Sequence, residues 1–226
     1  MKKIFIITGA NRGLGKAFVD LVLKDDDAMV ISLSRSLHEE HLDIPNDRLV
    51  FIPVDLLKPF SSSIFDLIKE NLDPTSIIYF LNNAGVILPI NSIGSLDQVD
   101  ISASIKVNVE YPVNLINMVL KNCTLNTLII VNVTSGAAIK PIANWSLYGA
   151  SKAFMRMFFS VLAEENIGNE KLKLFNIDPG TMDTEMQSSI RKNAFPRNEY
   201  FQSLKETNRL INPQDAALDI LRQIDF

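Results

Sequence analysis

A tyrosine and a lysine four positions apart, Tyr148 and Lys152, stand in the stretch NWSLYGASKAFMRM at 144–157. At that spacing two side chains lie one above the other on a helix face. Both titrate roughly near pH 10 when free, so neither is a useful acid or base alone at neutral pH. An ammonium held beside a phenol favours the phenolate and lowers the phenol's pKa, which would make a proton donor for a carbonyl oxygen. A solvated pair on an amphipathic helix is the plainer reading, and the rest of the chain has to decide between them.

Placing those two residues falls to an alternation of strands and helices. IFIIT at 4–8 is a short β-branched run that breaks into GANRGLG, and KAFVDLVLK follows at helical spacing. Further strands read at 28–34, 49–54, 76–85, 127–135 and 171–180. Helices read at 62–72, at 101–121 with Pro112 bending or interrupting it, and through the Tyr148 segment. A last helix reads from Asn212 as cap with Pro213 at its first position. Continuous apolar strands alternating with helices imply an α/β fold, a doubly wound parallel sheet covered on both faces. The 226 residues, 47% of them hydrophobic, suit one domain over 1–226 with one sizeable core.

Composition removes several classes of function. The formal net charge of −4 and the lack of any basic run argue against a nucleic-acid partner. A single cysteine, Cys123, excludes an internal disulfide and a multi-cysteine metal site. His38 and His41 could chelate, but SLHEEH reads as a solvated loop, so no metal is expected. No run of about 18 apolar residues is present, and the basic N-terminal start leads into a strand, so no membrane association and a cytoplasmic location are expected.

Gly9, Gly13 and Gly15 in TGANRGLG fall directly after the first strand. Glycine there lets the backbone turn tightly and approach a pyrophosphate at the next helix's N-terminus, so the turn points to a dinucleotide. An acidic residue at the end of the second strand would suit NAD; this chain has Ser34 and then Arg35, with Arg12 inside the turn as a second cation for the same spot. Two arginines and no carboxylate suit a 2′-phosphate, hence NADP(H), although two solvated arginines would look the same.

Together these residues resemble the short-chain dehydrogenase/reductase family. The resemblance is carried by T-G-x-x-x-G-x-G at 8–15, VDL at 54–56, NNAG at 82–85, Asn108, Ser135, Tyr148-x-x-x-Lys152 and Pro179-Gly180, in family order and spacing. PIANWSLYGASKAFMRM and DPGTMDTEMQ look most like the sepiapterin reductase and benzil reductase branch. The resemblance implies a Rossmann-type fold and a catalytic set of four. Tyr148 would give its proton to the substrate carbonyl, and Lys152 would lower the phenol's pKa and bond the nicotinamide ribose. Ser135 would fix the same oxygen, or merely cap the turn in TSGAA. Asn108 would hold a water linking Lys152 to solvent.

For binding, the resemblance places Gly9, Asn11, Arg12, Gly13, Leu14 and Arg35 at the cofactor. Asp55 would meet the adenine, or cap the residues after it. Asn83 and Gly85 would line the adenosine ribose, while Pro179, Gly180, Thr181 and Thr184 would border the nicotinamide and pyrophosphate. Trp145 would wall the pocket for a small-molecule carbonyl substrate, or simply pack. Residues 181–212, the least patterned part of the chain, are expected to be an irregular substrate lid. The family commonly adds a strand after the helix that Pro213 begins, and this chain stops at RQIDF, leaving the sheet edge open to question. A homodimer or homotetramer is expected, through the middle helix and the Tyr148 helix. Two functions follow: an NADPH-dependent reductase of a ketone or diketone, or a non-catalytic NADP(H)-binding sensor or scaffold, which would not need the intact set of four.

Overall fold

A computed structural model describes residues 2–226 as one sheet with helices on both faces. Its strands are β1 (Lys3–Thr8), β2 (Ala28–Ser34), β3 (Leu49–Pro53), β4 (Ile77–Asn82), β5 (Thr127–Val133) and β6 (Leu172–Ile177). All pairings are parallel, in the order β3-β2-β1-β4-β5-β6. The order reverses between β1 and β4, and in such sheets ligands bind at the carboxyl ends beside that switch point.

Alternation along β1 explains the layering. Ile4 and Ile6 join Ile31, Phe80 and Ile130 on one face, beneath α4 (Tyr111–Asn122) and α5 (Ser146–Glu165). Phe5 and Ile7 face the other way, with Val30, Leu81 and Val131, beneath α1 (Gly13–Val22) and α8 (Pro213–Gln223). All four β1 residues are fully buried, each stabilising the fold by about 1.5–3 kcal/mol relative to exposure. The remaining helices are α2 (Ser63–Lys69), α3 (Gln98–Ile105), α6 (Glu185–Lys192) and α7 (Asn198–Glu206).

The structure departs from expectation at 181–212 and at His41, and it gives form to the expected interruption at Pro112 and to the sheet edge. The segment 101–121 is α3, a π-turn at Lys106–Glu110, and then α4. Pro112, lying in the first turn of α4, has no N–H to return to the Asn108 carbonyl four residues earlier. The backbone there widens, and Tyr111 N–H reaches Lys106 O, five residues back. Residues 181–212 are not irregular, since α6 and α7 occupy most of them. Their few apolar side chains, Met186 and Ile190 on one and Phe201 and Leu204 on the other, fall at helical spacing and pack inward.

His41 is buried rather than solvated: its Nε2 lies 2.7 Å from Asp20 Oδ1, while Lys16 and Gln214 meet the other oxygen of that carboxylate. This network ties the β2–β3 connection to α1 and α8. Among the described residues no strand follows α8. β6 is the sheet edge, and Phe226 packs edge-on against Phe5 and Tyr79.

Candidate active site

The glycine turn is a cradle that side chains would fill. Gly9 and Gly13 have φ of +67° and +52°, and a Cβ on Gly15 would sit 2.1 Å from Gly9 O. Thr8 fastens this turn to NNAG, its Oγ1 accepting the N–H groups of Asn83 and Ala84 at 3.0 Å each. Asn83 Nδ2 donates to Thr8 O at 2.9 Å, so its amide holds the turn together rather than reaching outward. Leu14 is buried in the core beneath, and Asn11 Nδ2 donates to Ser36 Oγ at 3.3 Å. Thr184 caps α6 by accepting from Gln187 N–H and faces Gly13, where a Cβ would come 3.4 Å from its methyl. A backbone this close and this bare fits the pyrophosphate of a dinucleotide.

Tyr148 and Lys152 lie on the first turns of α5, in its buried stripe with Ser151, Met155 and Phe159. Gly149 lets that helix press against the short turn Gly136–Ala138; a Cβ there would be 3.1 Å from Ala137 O. The contact brings Ser135, at the carboxyl end of β5, beside Tyr148. Ser135 Oγ accepts from Ala137 N–H at 3.2 Å, so the capping role is real and leaves its hydroxyl proton free to point elsewhere.

The electrostatics differ from the expected depressed phenol. Burial pushes Tyr148 up to about 12, with the Ser135 hydroxyl opposing the rise and the Asp178 charge adding to it. Burial pulls Lys152 down to about 8, with Asp178 opposing. Lys152 does not pull the phenol down because, losing its own proton near 8, it carries no charge where Tyr148 would ionise; its Nζ donates to Val133 O at 2.7 Å and lies 5.8 Å from the Tyr148 ring centre. Tyr148 therefore keeps its proton well above neutral pH, as an acid must.

Asn108 also differs in detail. Its side chain clamps the loop after β4, accepting from Val86 N–H at 2.9 Å and donating to Val86 O at 2.8 Å. The main-chain carbonyl of this residue receives no N–H from Pro112 four residues on. Gly85 sits next to this pair: a Cβ there would be 3.3 Å from Asn108 Oδ1 and 3.7 Å from Lys152 Nζ.

Trp145 precedes α5 and is buried, stacked on Phe201 at 5.1 Å and edge-on to Tyr148 at 5.8 Å. Pro179 and Gly180 follow β6, Gly180 with φ +75°. Thr181 O accepts from Ile211 N–H at 2.9 Å and Ile211 O accepts from Asp183 N–H at 2.9 Å, so the two ends of 181–212 are stitched together. Asp55 Oδ1 accepts from Leu57 N–H at 3.0 Å and so caps the turn after β3. Arg35 lies in a cavity at that end of the sheet. Arg12 does not join it, because its guanidinium is paired with Glu185 at the start of α6.

Residues to which motif reading gave no role also lie at this end of the sheet. Asn82, Asn132 and Asn176 are in register on β4, β5 and β6 and hydrogen-bond in a row at 3.0 and 2.8 Å. An asparagine near the end of each of three adjacent strands was a visible signal, once the strands are aligned. Val133 and Val86 act through backbone atoms that no side-chain pattern reveals.

A protein-family model described as short chain dehydrogenase matches residues 3–194. The chain belongs to the short-chain dehydrogenase family. Benzil reductase ((S)-benzoin forming) of Bacillus subtilis (strain 168) is 32% identical over 232 residues, covering 99% of this chain and 93% of that one. Sepiapterin reductase of Bos taurus is 25% identical over 248 residues, covering 97% and 88%. The crystal structure of the KRED1-Pglu enzyme superimposes with a TM-score of 0.85 at 30% identity, covering 99% of this chain and 95% of that one. Within the family the chain lies near the benzil reductase and sepiapterin reductase branch. It is an oxidoreductase of carbonyl compounds, and the family's cofactor is a nicotinamide dinucleotide. No helix among the described residues is long and apolar enough to cross a membrane.

Proposed function

We propose that the protein is an NADPH-dependent reductase of a ketone or diketone, with Tyr148 as the proton donor. The observation that carries this reading is a buried Tyr148–Lys152 pair packed against the Ser135 turn. A sensor or scaffold has no need of a buried acid with a buried ammonium beside it. The cofactor, when bound, supplies the hydride. The glycine turn and Thr184 would hold its pyrophosphate and Lys152 its nicotinamide ribose. Arg35, with no carboxylate at the end of β2, would favour a 2′-phosphate.

Tyr148 gives its hydroxyl proton to the carbonyl oxygen as negative charge develops there; an alkoxide is a much stronger base than a phenolate, so the transfer runs downhill even from a raised pKa. Ser135 donates to the same oxygen and fixes the carbonyl in place. Lys152, near its own midpoint close to neutral pH, passes a proton back toward Tyr148. The Asn108 carbonyl, which receives no N–H from Pro112, holds the water that links Lys152 to solvent. Trp145, Phe195 and Phe201 form an aromatic wall beside Tyr148, suited to an apolar or aryl group flanking the carbonyl, in keeping with the benzil reductase relative. The segment 181–212 supplies two of those rings and closes over the site as its lid. The working unit is a cytoplasmic homodimer or homotetramer.

The reading is tested by mixing purified protein with NADPH, or with NADH, and a panel of ketones, diketones and pterins, following cofactor absorbance. Oxidation of NADPH in preference to NADH with a ketone or diketone is expected. Binding of NADPH without turnover of any member would favour the sensor instead.

A further inference from the structure

The end of the sheet where β2 and β3 finish carries a cation that the sequence motifs did not mark. Val54 N–H donates to Ser34 O at 2.9 Å, which sets Arg35 and Asp55 on neighbouring strand ends. Asp55 then builds a tight turn: Oδ1 accepts from Leu57 N–H, and its main-chain carbonyl accepts from Lys58 N–H, each at 3.0 Å. That turn carries Lys58 round to the same side as Arg35. The two line one cavity of about 560 Å3, with Asp55 and Ser61 at its wall and Tyr111 among its apolar lining. Neither cation has a carboxylate ion-pair partner among the described residues.

Arg12 stands differently. Its guanidinium is engaged by Glu185 on the first turn of α6, and neither residue lines this cavity. The cation that shares a cavity with Arg35 is therefore Lys58.

We infer that Lys58, together with Arg35, forms the 2′-phosphate site of the cofactor, while Arg12 fastens the 181–212 segment to the glycine turn through Glu185. The inference rests on the NADP(H) reading above and assigns that reading a second cation. A phosphate dianion between a guanidinium and an ammonium gains charge-assisted hydrogen bonds from both, and the planar arginine fork also fixes its orientation. Asp55 is the one carboxylate in the cavity. With one oxygen engaged by Leu57 it remains outnumbered by two cations, so the net field favours an anion.

The test uses the full chain and two nucleotides without a nicotinamide ring, 2′,5′-ADP and 5′-AMP, titrated by calorimetry. Lys58 is exposed, so Lys58→Gln leaves the fold intact, which a matching thermal melt confirms. Wild-type protein should bind 2′,5′-ADP more tightly than 5′-AMP. Lys58→Gln should weaken 2′,5′-ADP by about tenfold with 5′-AMP unchanged, Lys58→Arg should restore it, and Arg12→Gln should leave both nucleotides near wild type. A wild-type preference for 2′,5′-ADP that survives Lys58→Gln, or that is lost in Arg12→Gln instead, overturns the role of Lys58 while sparing NADP(H). Wild-type protein that binds the two nucleotides equally overturns the NADP(H) reading and Lys58 with it.

Discussion

Lys152 holds its ammonium within the core, with the Val133 carbonyl 2.7 Å away. A buried cation so sparsely served is costly, and the cost shows as a pKa lowered from 10.5 to about 8. Between those two values the unfolded chain binds the proton that the folded chain has released, so this residue makes stability rise with pH across that window. Below about pH 8 the penalty is present in full. Lys152→Met removes it, so the stability difference between wild type and variant should shift toward the wild type by on the order of 3 kcal/mol from about pH 7 to about pH 10.5. Urea titrations at the two pH values measure it, and a pH-independent difference would mean that Lys152 titrates normally. At this scale sequence reading singled out Tyr148 and Lys152 from their types and spacing, and Ser135 only through the family resemblance. It could not find the direction of the phenol's shift, because that depends on where Nζ points and on how completely both groups are desolvated.

Helix and turn geometry sets the next scale. Gly15 lies inside α1, where replacing a glycine by alanine ordinarily adds about 1 kcal/mol of stability. Here the added Cβ would collide with Gly9 O at 2.1 Å, so the sign should reverse. Gly15→Ala should lose about 2 kcal/mol or more together with nucleotide binding, read by thermal melting and cofactor titration. A stabilised variant that still binds would show that the cradle is not closed as described.

Pro112→Ala makes a subtler change: it returns an N–H to the Asn108 carbonyl and lets the π-turn tighten. Cofactor affinity should hold while turnover falls about tenfold, and unchanged turnover would remove the Asn108 carbonyl from the proton path. The sequence showed that Pro112 must disturb this helix. It did not show that the disturbance lands on Asn108, which needs the four-residue hydrogen-bond register to be counted back from the proline. The helices α6 and α7 went unread although each is amphipathic: Met186 with Ile190, and Phe201 with Leu204, fall at helical spacing on otherwise polar segments.

On the whole molecule, one feature of the surface remains to be covered. Phe154, Met157 and Val161 recur along α5 and are 48%, 65% and 48% exposed, on the face opposite the buried Tyr148 stripe. An apolar stripe of this kind marks a contact surface, and its site on the Tyr148 helix suits the proposed homodimer or homotetramer. Phe154→Lys with Met157→Lys should shift the protein to monomers in size-exclusion chromatography with light scattering, while a wild type already monomeric would contradict the proposed assembly.

The order of strands and helices was legible from β-branched runs and helical spacing, because a parallel sheet covered on both faces leaves an unmistakable apolar signature. The joining of distant loops was not legible. Thr8 to NNAG, Asn108 to Val86 and Arg12 to Glu185 are contacts between segments far apart in the chain, and no local pattern encodes which partner a polar side chain will meet.

As the acid of an NADPH-dependent carbonyl reduction, Tyr148 contributes one hydroxyl proton that phenylalanine lacks. The most direct measurement compares wild type and Tyr148→Phe for turnover of the best ketone or diketone, with NADPH binding titrated on both. Removing one hydroxyl should lower turnover by about two to four orders of magnitude and leave NADPH affinity within about twofold. A Tyr148→Phe protein that still reduces the substrate at close to the wild-type rate would contradict the account.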